Sequence, residues 1–466
     1  MKIAIIGAGS IVFCKTLILD ILQIPGIGHL DFSLMAPSTR RTSSVKAFVD
    51  RVIAANRLDA SASLTTDRRE ALHGADFVIC TLQIGGLAAY EADMEIPMRY
   101  GVDQCIGDTL GPGGIFRALR TIPVMRALAA DMRECCPDAL LLNYVNPMAP
   151  VCWALADTGI RYVGLCHGVQ TTLDLIAGYT DVPKSEIVYE SAGINHMAWF
   201  LRLEHRGRDL YPLLRERFEQ PEYYAAERVR GEIFRQTGYF MTESSGHLSE
   251  YLPYFRKNEE SMALYCSEPD FGGESGANLK WTRRVNAKYA HADPLAHESS
   301  ALPPRSVEYC SYIIEAIACG RIFRFNGNLR NNGMIANLPD DCCAEMTIFA
   351  DASGLHQTYV GALPSQCAAL NLTNINVQRL SVEAALSGDP EKAVQALLLD
   401  PLTAARLNPG QIRRMAREML EAEREWLPQF RTPLPPKDDI VIPEGTVRVK
   451  APVDPALAIN ARFAEL

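Results

Sequence analysis

The sequence has no apolar stretch approaching the roughly 20 residues that a membrane-spanning helix needs, so nothing in it reads as a transmembrane anchor. It has no excess of positive charge either. Its 46 Lys and Arg stand against 55 Asp and Glu, a net charge of −9 over 466 residues, which argues against nucleic acid as the main partner. A regular cysteine framework is also missing. Thirteen cysteines, an odd number, are scattered through a chain far too long to need disulfide staples. They read as reduced thiols of a cytoplasmic protein, most of them small buried hydrophobes; the adjacent pairs Cys135–Cys136 and Cys342–Cys343 could bind metal together but read more readily as packing. No CxxC pair and no HExxH occurs, so no ordinary zinc module is present. The apolar run after Lys2 is too short for a secretion signal and ends in a glycine turn, so it reads as a strand.

What the chain does contain is the composition of an ordinary soluble globular protein, 48% hydrophobic and 22% charged. Its length suits two domains, or one large α/β unit with insertions. Lys2–Ile6 is a short β-branched run, followed by Gly7-Ala8-Gly9-Ser10 and then by Ile11–Gln23, with Leu and Ile at helical spacing. Strand, glycine turn and helix form the setting in which a GxG motif binds a dinucleotide. Gly7 permits the tight turn, Gly9 lets the backbone approach a pyrophosphate, and the helix N-terminus favours the anion. Two parts of the usual fingerprint are missing. Val12 stands where a third glycine would be. The second strand, His29–Met35, ends in Ala36 in place of the acidic residue that binds the ribose hydroxyls, with Arg40 and Arg41 just beyond. Without that carboxylate a 2′-phosphate is not repelled, so NADP is expected to be tolerated better than usual.

Ala75–Cys80 reads as another buried strand, followed by the polar, glycine-bearing loop Thr81–Gly86 that carries Gln83. Ala139–Leu142 is a fourth, running into Asn143-Tyr144-Val145-Asn146-Pro147, and Tyr162–Leu165 a fifth, stopping at Cys166-His167-Gly168. Helical segments such as Ile122–Met132 lie between them. The alternation predicts an α/β protein with a Rossmann-like, doubly wound parallel sheet, followed by a mixed α+β C-terminal domain. Ligands bind at the carboxyl ends of such strands, so the loops after residues 6, 80, 142 and 165 should face one cleft. Gly7, Gly9, Ser10, Ile11, Gln83 and Asn146 are the candidate cofactor contacts. The expected division is a dinucleotide-binding domain over 1–190, a substrate, metal and oligomerisation domain over 191–430, and a Pro-rich tail over 431–466.

A second histidine, His196, follows another strand-like run, Ile187–Glu190. A lone histidine is more often structural. A cysteine and a histidine on separate strand ends, each beside a glycine turn, can give a thiolate and an imidazole to a divalent ion that keeps positions open for substrate oxygens. Asp108 and Arg117 flank the glycine-rich loop Gly111-Pro112-Gly113-Gly114 and could reach a ligand. Arg117 and Arg120 read equally well as solvated helix charges. Ser381 and Asp389 look like the starts of two amphipathic helices, Val382–Ser387 and Pro390–Leu399.

Longer motifs narrow the reading. IGAGS, CIGDTLGPGGIFRALRTIP (105–123), LLNYVNPM (141–148), GLCHGVQ (164–170), AGINHMAWF (192–200) and TESSGHLSEYLPYF (242–255) occur in one order. NLRNNGMIANLPDDCCAEM (328–346) and VGALPSQCAALNLTNINVQ (360–378) follow. In order and spacing they resemble glycoside hydrolase family 4, over about residues 1–430, most closely its α-galactosidase branch. The phospho-sugar branches place Asp or Asn after the metal cysteine. His167 stands there in this chain, which argues against a 6-phospho-sugar.

The resemblance implies a dehydrogenase-like fold of the lactate and malate type, with NAD and Mn²⁺ as cofactors. It also implies an exception to the usual carboxylate-pair hydrolysis. Carbon 3 of the sugar is oxidised, carbon 2 loses a proton, the aglycone leaves from carbon 1, water adds, and carbon 3 is reduced again. On this chain it implies Cys166 and His196 as metal ligands, and Asn146, Asp108, Arg117 and His167 around the sugar. His167 either assists leaving-group departure or orients its neighbours. The base is Glu243 or Tyr239, with His247 and Glu250 also in the segment. Family members are commonly dimers or tetramers. Galactoside, galacturonide, glucuronide and glucoside remain open as substrates. A 2-hydroxy-acid dehydrogenase and an inactive cofactor-binding regulator are the rival readings.

Overall fold

The computed structural model describes residues 1–290, 293, 295–437 and 440–447. Five short β-branched or apolar runs become parallel strands, joined to β3 in a six-stranded parallel half-sheet. They are β1 (Lys2–Ile6), β2 (Leu30–Met35), β3 (Ala60–Thr65), β4 (Phe77–Cys80), β5 (Leu140–Asn143) and β6 (Arg161–Gly164). β4 and β5 are buried along their whole length, as expected of strands covered by helices on both faces. β3 alternates, with Ser61 and Ser63 outward, and for that reason its sequence gives no apolar run.

The sheet does not end at β6. Six further strands extend it: β7 (Ile187–Ile194), β8 (Met197–His205), β9 (Arg208–Asp209), β10 (Phe323–Arg330), β11 (Cys343–Asp351) and β12 (Gly354–Gln357). The order is β3-β2-β1-β4-β5-β6-β10-β11-β7-β8-β9, with β12 on β11. The β10–β11 hairpin, from far along the chain, is thus inserted between β6 and β7. Asn328 pairs with Gly164 on one side and with Glu345 on the other, and Glu345 pairs with Gly193. Residues Met1–Leu434 form one compact unit around this sheet. The second unit, Pro435–Leu466, has no helix or strand among its described residues. The tail prolines Pro452 and Pro455 lie outside the described residues.

Several local expectations change. Gly111-Pro112-Gly113-Gly114 is not a loop but the first turn of the helix Gly111–Cys135, with Pro in the position where a missing N–H costs nothing. The small residues there allow close approach: a Cβ on Gly113 would lie 2.3 Å from Gly107 O. Ser381 starts no helix. It lies inside the continuous helix Ser365–Ser387 and its hydroxyl donates back to Val377 O at 2.8 Å. Asp389 does cap Pro390–Leu399, accepting from Glu391 N.

Arg120 is not a solvated charge. It is fully buried, 2.5 Å from Asp93 and 2.8 Å from Glu423, and its Nε donates to Ile84 O at 3.1 Å. The triad ties Glu423, which follows the helix Pro409–Ala422, to the helices Gly86–Arg99 and Gly111–Cys135 and to the loop after β4. Removing one member leaves uncompensated charge in the interior. Arg120→Met should therefore lower the unfolding free energy by about 3–5 kcal/mol, measured by urea titration; a change under about 1 kcal/mol would show that the triad adds nothing.

Candidate active site

The loop after β1 is shaped for an anion. Gly7 has φ +94°, and its amide and that of Ala8 donate to Met35 O at 2.9 and 3.0 Å. A Cβ on Gly7 would lie 2.6 Å from Leu82 N, so a side chain is excluded on both counts. A Cβ on Gly9 would meet nothing nearer than Arg41 Cβ at 3.9 Å, which leaves an open face of bare backbone. Ser10 holds the cap position of the helix Ile11–Ile21 without a side-chain capping bond. The first amides of that helix, at Ile11, Val12 and Phe13, have no acceptor within it and carry the positive end of its dipole. These features fit a pyrophosphate. The Ile11 side chain is buried in the core, so its amide is what it can offer. Thr81 Oγ donates to Gly7 O at 3.1 Å, joining the loops after β1 and β4, and Gln83 reaches Gly86 O at 3.4 Å. Ala36 is buried, and the Arg41 guanidinium donates to Asn286 Oδ1 at 2.8 Å.

Cys166 follows the end of β6, and His196 sits in the two-residue turn between β7 and β8. Two antiparallel strands separate their parent strands in the sheet, yet Cys166 Sγ lies 3.3 Å from His196 Nε2. His196 adopts φ +62°, a left-handed conformation uncommon outside glycine. The turn is held from the helix Ser365–Ser387: Asn371 donates to Met197 O at 2.7 Å and accepts from Trp199 Nε1 at 3.0 Å. The Tyr251 hydroxyl is 3.3 Å from His196 Nδ1.

Glu243 and His247 complete the group. Glu243 Oε2 is 3.6 Å from His196 Nε2, and Glu243 Oε1 is 3.8 Å from His247 Nδ1. Among the described residues, His196, Glu243 and His247 are the one set of three such side chains whose donor atoms all lie within 4.8 Å of one another. Two imidazoles and a carboxylate so close together, with a sulfur 3.3 Å from one of the rings, suit a divalent first-row ion. Burial pushes the His196 pKa down to about 4, which leaves its ring neutral and able to ligate. Burial, then the nearby Glu345 and Glu243 charges, push the Cys166 thiol up; a bound cation reverses that preference. At Glu243 burial acts upward, but His196, His247 and bonds from Ser244 outweigh it and hold the carboxyl below its usual value.

A second polar group adjoins this one. Asn146 Nδ2 donates to Asp108 Oδ2 at 3.1 Å, and Arg117 lies 3.7 Å from the same oxygen. Thr109 Oγ bridges Asp108 at 2.7 Å and His247 Nε2 at 2.8 Å. Glu250 is committed elsewhere: it accepts from the amides of Cys105, Ile106 and Gly107 and so braces the segment that presents Asp108. Arg117, like Arg120, is largely buried rather than solvated. Tyr239 does not join the group. It packs among apolar side chains between the main core and a smaller cluster, its ring 6.0 Å from that of Tyr211.

His167 occupies the cap position of the helix Gly168–Thr180, its side chain half exposed and its Nδ1 3.2 Å from Glu308 Oε1. That contact outweighs burial and raises the imidazole pKa. Glu308, Thr109, Tyr251 and the buried Glu345 carry no sequence signal of their own. Each reaches the site from a segment remote in the chain or from inside a motif whose other residues draw attention first.

A model of family 4 glycosyl hydrolases matches residues 2–182, and one of the family's C-terminal domain matches residues 191–403. The chain belongs to glycosyl hydrolase family 4. Within that family it is 40% identical to an alpha-galactosidase of Rhizobium meliloti, over 92% of this chain and 89% of the relative. It is 38% identical to an alpha-galactosidase of Bacillus subtilis, over 92% of this chain and 100% of the relative. Its fold resembles that of the 6-phospho-beta glucosidase from Thermotoga maritima solved with manganese, NAD⁺ and glucose-6-phosphate, with a TM-score of 0.75 and 22% identity over 91% and 99% of the two chains.

Proposed function

We propose that this family 4 glycosidase hydrolyses α-galactosides, with NAD⁺ held over Gly7, Gly9, Ser10 and the Ile11 amide and Mn²⁺ held by Cys166 and His196. The observation that carries the reading is the 3.3 Å approach of Cys166 Sγ and His196 Nε2 from strands that the sheet keeps two strands apart. When bound, the dinucleotide supplies reversible redox chemistry at carbon 3 of the sugar and the ion supplies Lewis acidity beside it.

The chain's own groups do the rest. Glu243, ionised and next to the metal pair, takes the proton from carbon 2. His167 lies on the adjoining strand end and assists the leaving oxygen. Asn146, Asp108 and Arg117 form one bonded set that orients sugar hydroxyls. Residues 1–190 thus supply the cofactor loop, Cys166 and the sugar-orienting set, and residues 191–430 add His196 and Glu243. The enzyme works as a homo-oligomer in the cytoplasm on this reading, in keeping with its resemblance to family members and its thirteen unpaired cysteines.

The charge of the cleft favours a neutral sugar. Asp108, Glu243 and Glu308 all border it, and Arg117 is already paired with Asp108. A carboxylate or phosphate on carbon 6 would meet repulsion. The test is a panel of aryl α-glycosides with Mn²⁺, NAD⁺ and a thiol. The α-galactoside should be cleaved fastest and only with both cofactors present. Preference for the α-galacturonide or α-glucuronide would overturn the substrate assignment, and net NADH formation from a 2-hydroxy acid would overturn the hydrolase reading itself. Because β2 is followed by Ala36 in place of a carboxylate, the NADP dissociation constant, measured by fluorescence titration, should lie within about tenfold of that for NAD, or ~1.4 kcal/mol.

A further inference from the structure

Two neighbouring residues on one segment grip two neighbouring residues on another. The segment before the helix Cys310–Cys319 presents Glu308 to the His167 ring, Oε1 to Nδ1 at 3.2 Å, while the next residue, Tyr309, donates its hydroxyl to Cys166 O and to Asn326 O. The segment is itself anchored. Ser306 N and Oγ donate to the two oxygens of the buried Asp20 at 2.9 and 2.5 Å, and Glu308 N donates to Ser306 Oγ at 3.1 Å. Asp20 lies on the helix that begins at Ile11, beside the glycine loop. One chain of bonds therefore runs from the helix behind the proposed dinucleotide site to the ring of His167. Among the described residues no protein group bonds to the other ring nitrogen, Nε2, and the side chain is half exposed.

From this clamp we infer that Glu308 is a positioning residue: it holds Nδ1 of His167 and so turns Nε2 toward the oxygen that leaves carbon 1. A half-exposed histidine at a helix start would otherwise rotate about both side-chain bonds. A carboxylate on one nitrogen fixes the ring plane and the tautomer together. The inference rests on the reading of His167 as the residue that assists departure, and its test separates the two.

The experiment uses the holoenzyme in D₂O with methyl α-galactoside, whose leaving group needs help, and p-nitrophenyl α-galactoside, whose leaving group does not. The readout is the ratio of deuterium exchanged into recovered substrate at carbon 2 to glycoside cleaved. In Glu308→Ala the ratio for the methyl glycoside should rise by at least about tenfold, since losing an outer partner of a working imidazole costs ~10–100-fold. The p-nitrophenyl ratio should stay put. Glu308→Gln, whose amide oxygen can still accept from Nδ1, should restore most of the loss. Glu308→Asp keeps the charge but withdraws it by one methylene, and should behave like the alanine variant even if that variant folds poorly. Equal losses on both substrates with unchanged ratios would mean a merely structural role and overturn the inference. His167→Ala is the control: if it raises the methyl ratio and the Glu308 variants do not, Glu308 is misassigned, and if it does not, the reading of His167 fails instead.

Discussion

Cys166→Ser is expected to lower the affinity for Mn²⁺ by more than the ~10–100-fold that loss of an outer-sphere partner costs, with turnover falling in step. The thiolate is the negatively charged donor of the Cys166–His196 pair, since the His196 ring is neutral. A serine hydroxyl at the same place stays protonated and offers only a weak neutral oxygen. The pH dependence should change as well. In the free enzyme burial holds the Cys166 proton in place through the neutral range, while the His196 ring is already neutral above about pH 4. Each ion bound then displaces one proton, from sulfur. Affinity should rise about tenfold per pH unit as pH increases and fall by the same factor as it decreases. In the serine variant that slope should vanish. Isothermal titration with Mn²⁺ at pH 6, 7 and 8 measures both quantities, and an unchanged slope would remove Cys166 from the ligand set.

Glu243→Gln should reduce both exchange of the carbon-2 proton and turnover by about 10²–10⁴-fold, the usual contribution of a general base. The amide is isosteric, so the bonds from Ser244 N and Oγ, at 2.7 and 2.9 Å, can persist and the variant should fold. Metal content distinguishes two roles that the geometry brings close together, because Glu243 Oε2 is only 3.6 Å from a ring nitrogen of the metal pair. Loss of exchange with full Mn²⁺ occupancy marks a base, and loss of both marks a ligand. Tyr239→Phe is the companion measurement. Its hydroxyl belongs to a ring packed against Tyr211, outside the polar cluster, so exchange and turnover should stay within ~2–3-fold of the parent enzyme, under 1 kcal/mol of barrier.

Five strands of the parallel half of the sheet were legible because each is a short apolar run; β3, with Ser61 and Ser63 outward, was not. The strands' alternation with helices leaves few topologies. The insertion of β10 and β11 between β6 and β7 was not legible. Nothing local in Phe323–Arg330 or Cys343–Asp351 says which strands they will pair with, and the pairing is decided by packing across more than 100 residues of chain. The same holds within the site. Cys166 and His196 stood out through residue type and position at strand ends. Glu308 did not, because a glutamate before a helix has an ordinary explanation in solvation. Arg120 misled in the opposite direction: a charged residue on a helix reads as solvated, and only the fold supplies Asp93 and Glu423 as partners. Tyr239 and Glu243 are four residues apart in one motif. The strand-like stretch between them, where Phe240 O and Met241 pair with β8, sends the tyrosine into apolar surroundings and the glutamate to the His196–His247 cluster.

The central claim is that a side chain beside the Cys166–His196 pair removes a proton from carbon 2 of the sugar while carbon 3 is transiently oxidised. Cleavage of p-nitrophenyl α-galactoside in D₂O, followed by proton NMR of the released galactose, tests it directly. The account predicts one deuteron at carbon 2 of the product, no net gain of NADH, and no cleavage without Mn²⁺ and NAD⁺. Galactose that keeps its proton at carbon 2 would mean direct displacement at carbon 1 and would contradict the account.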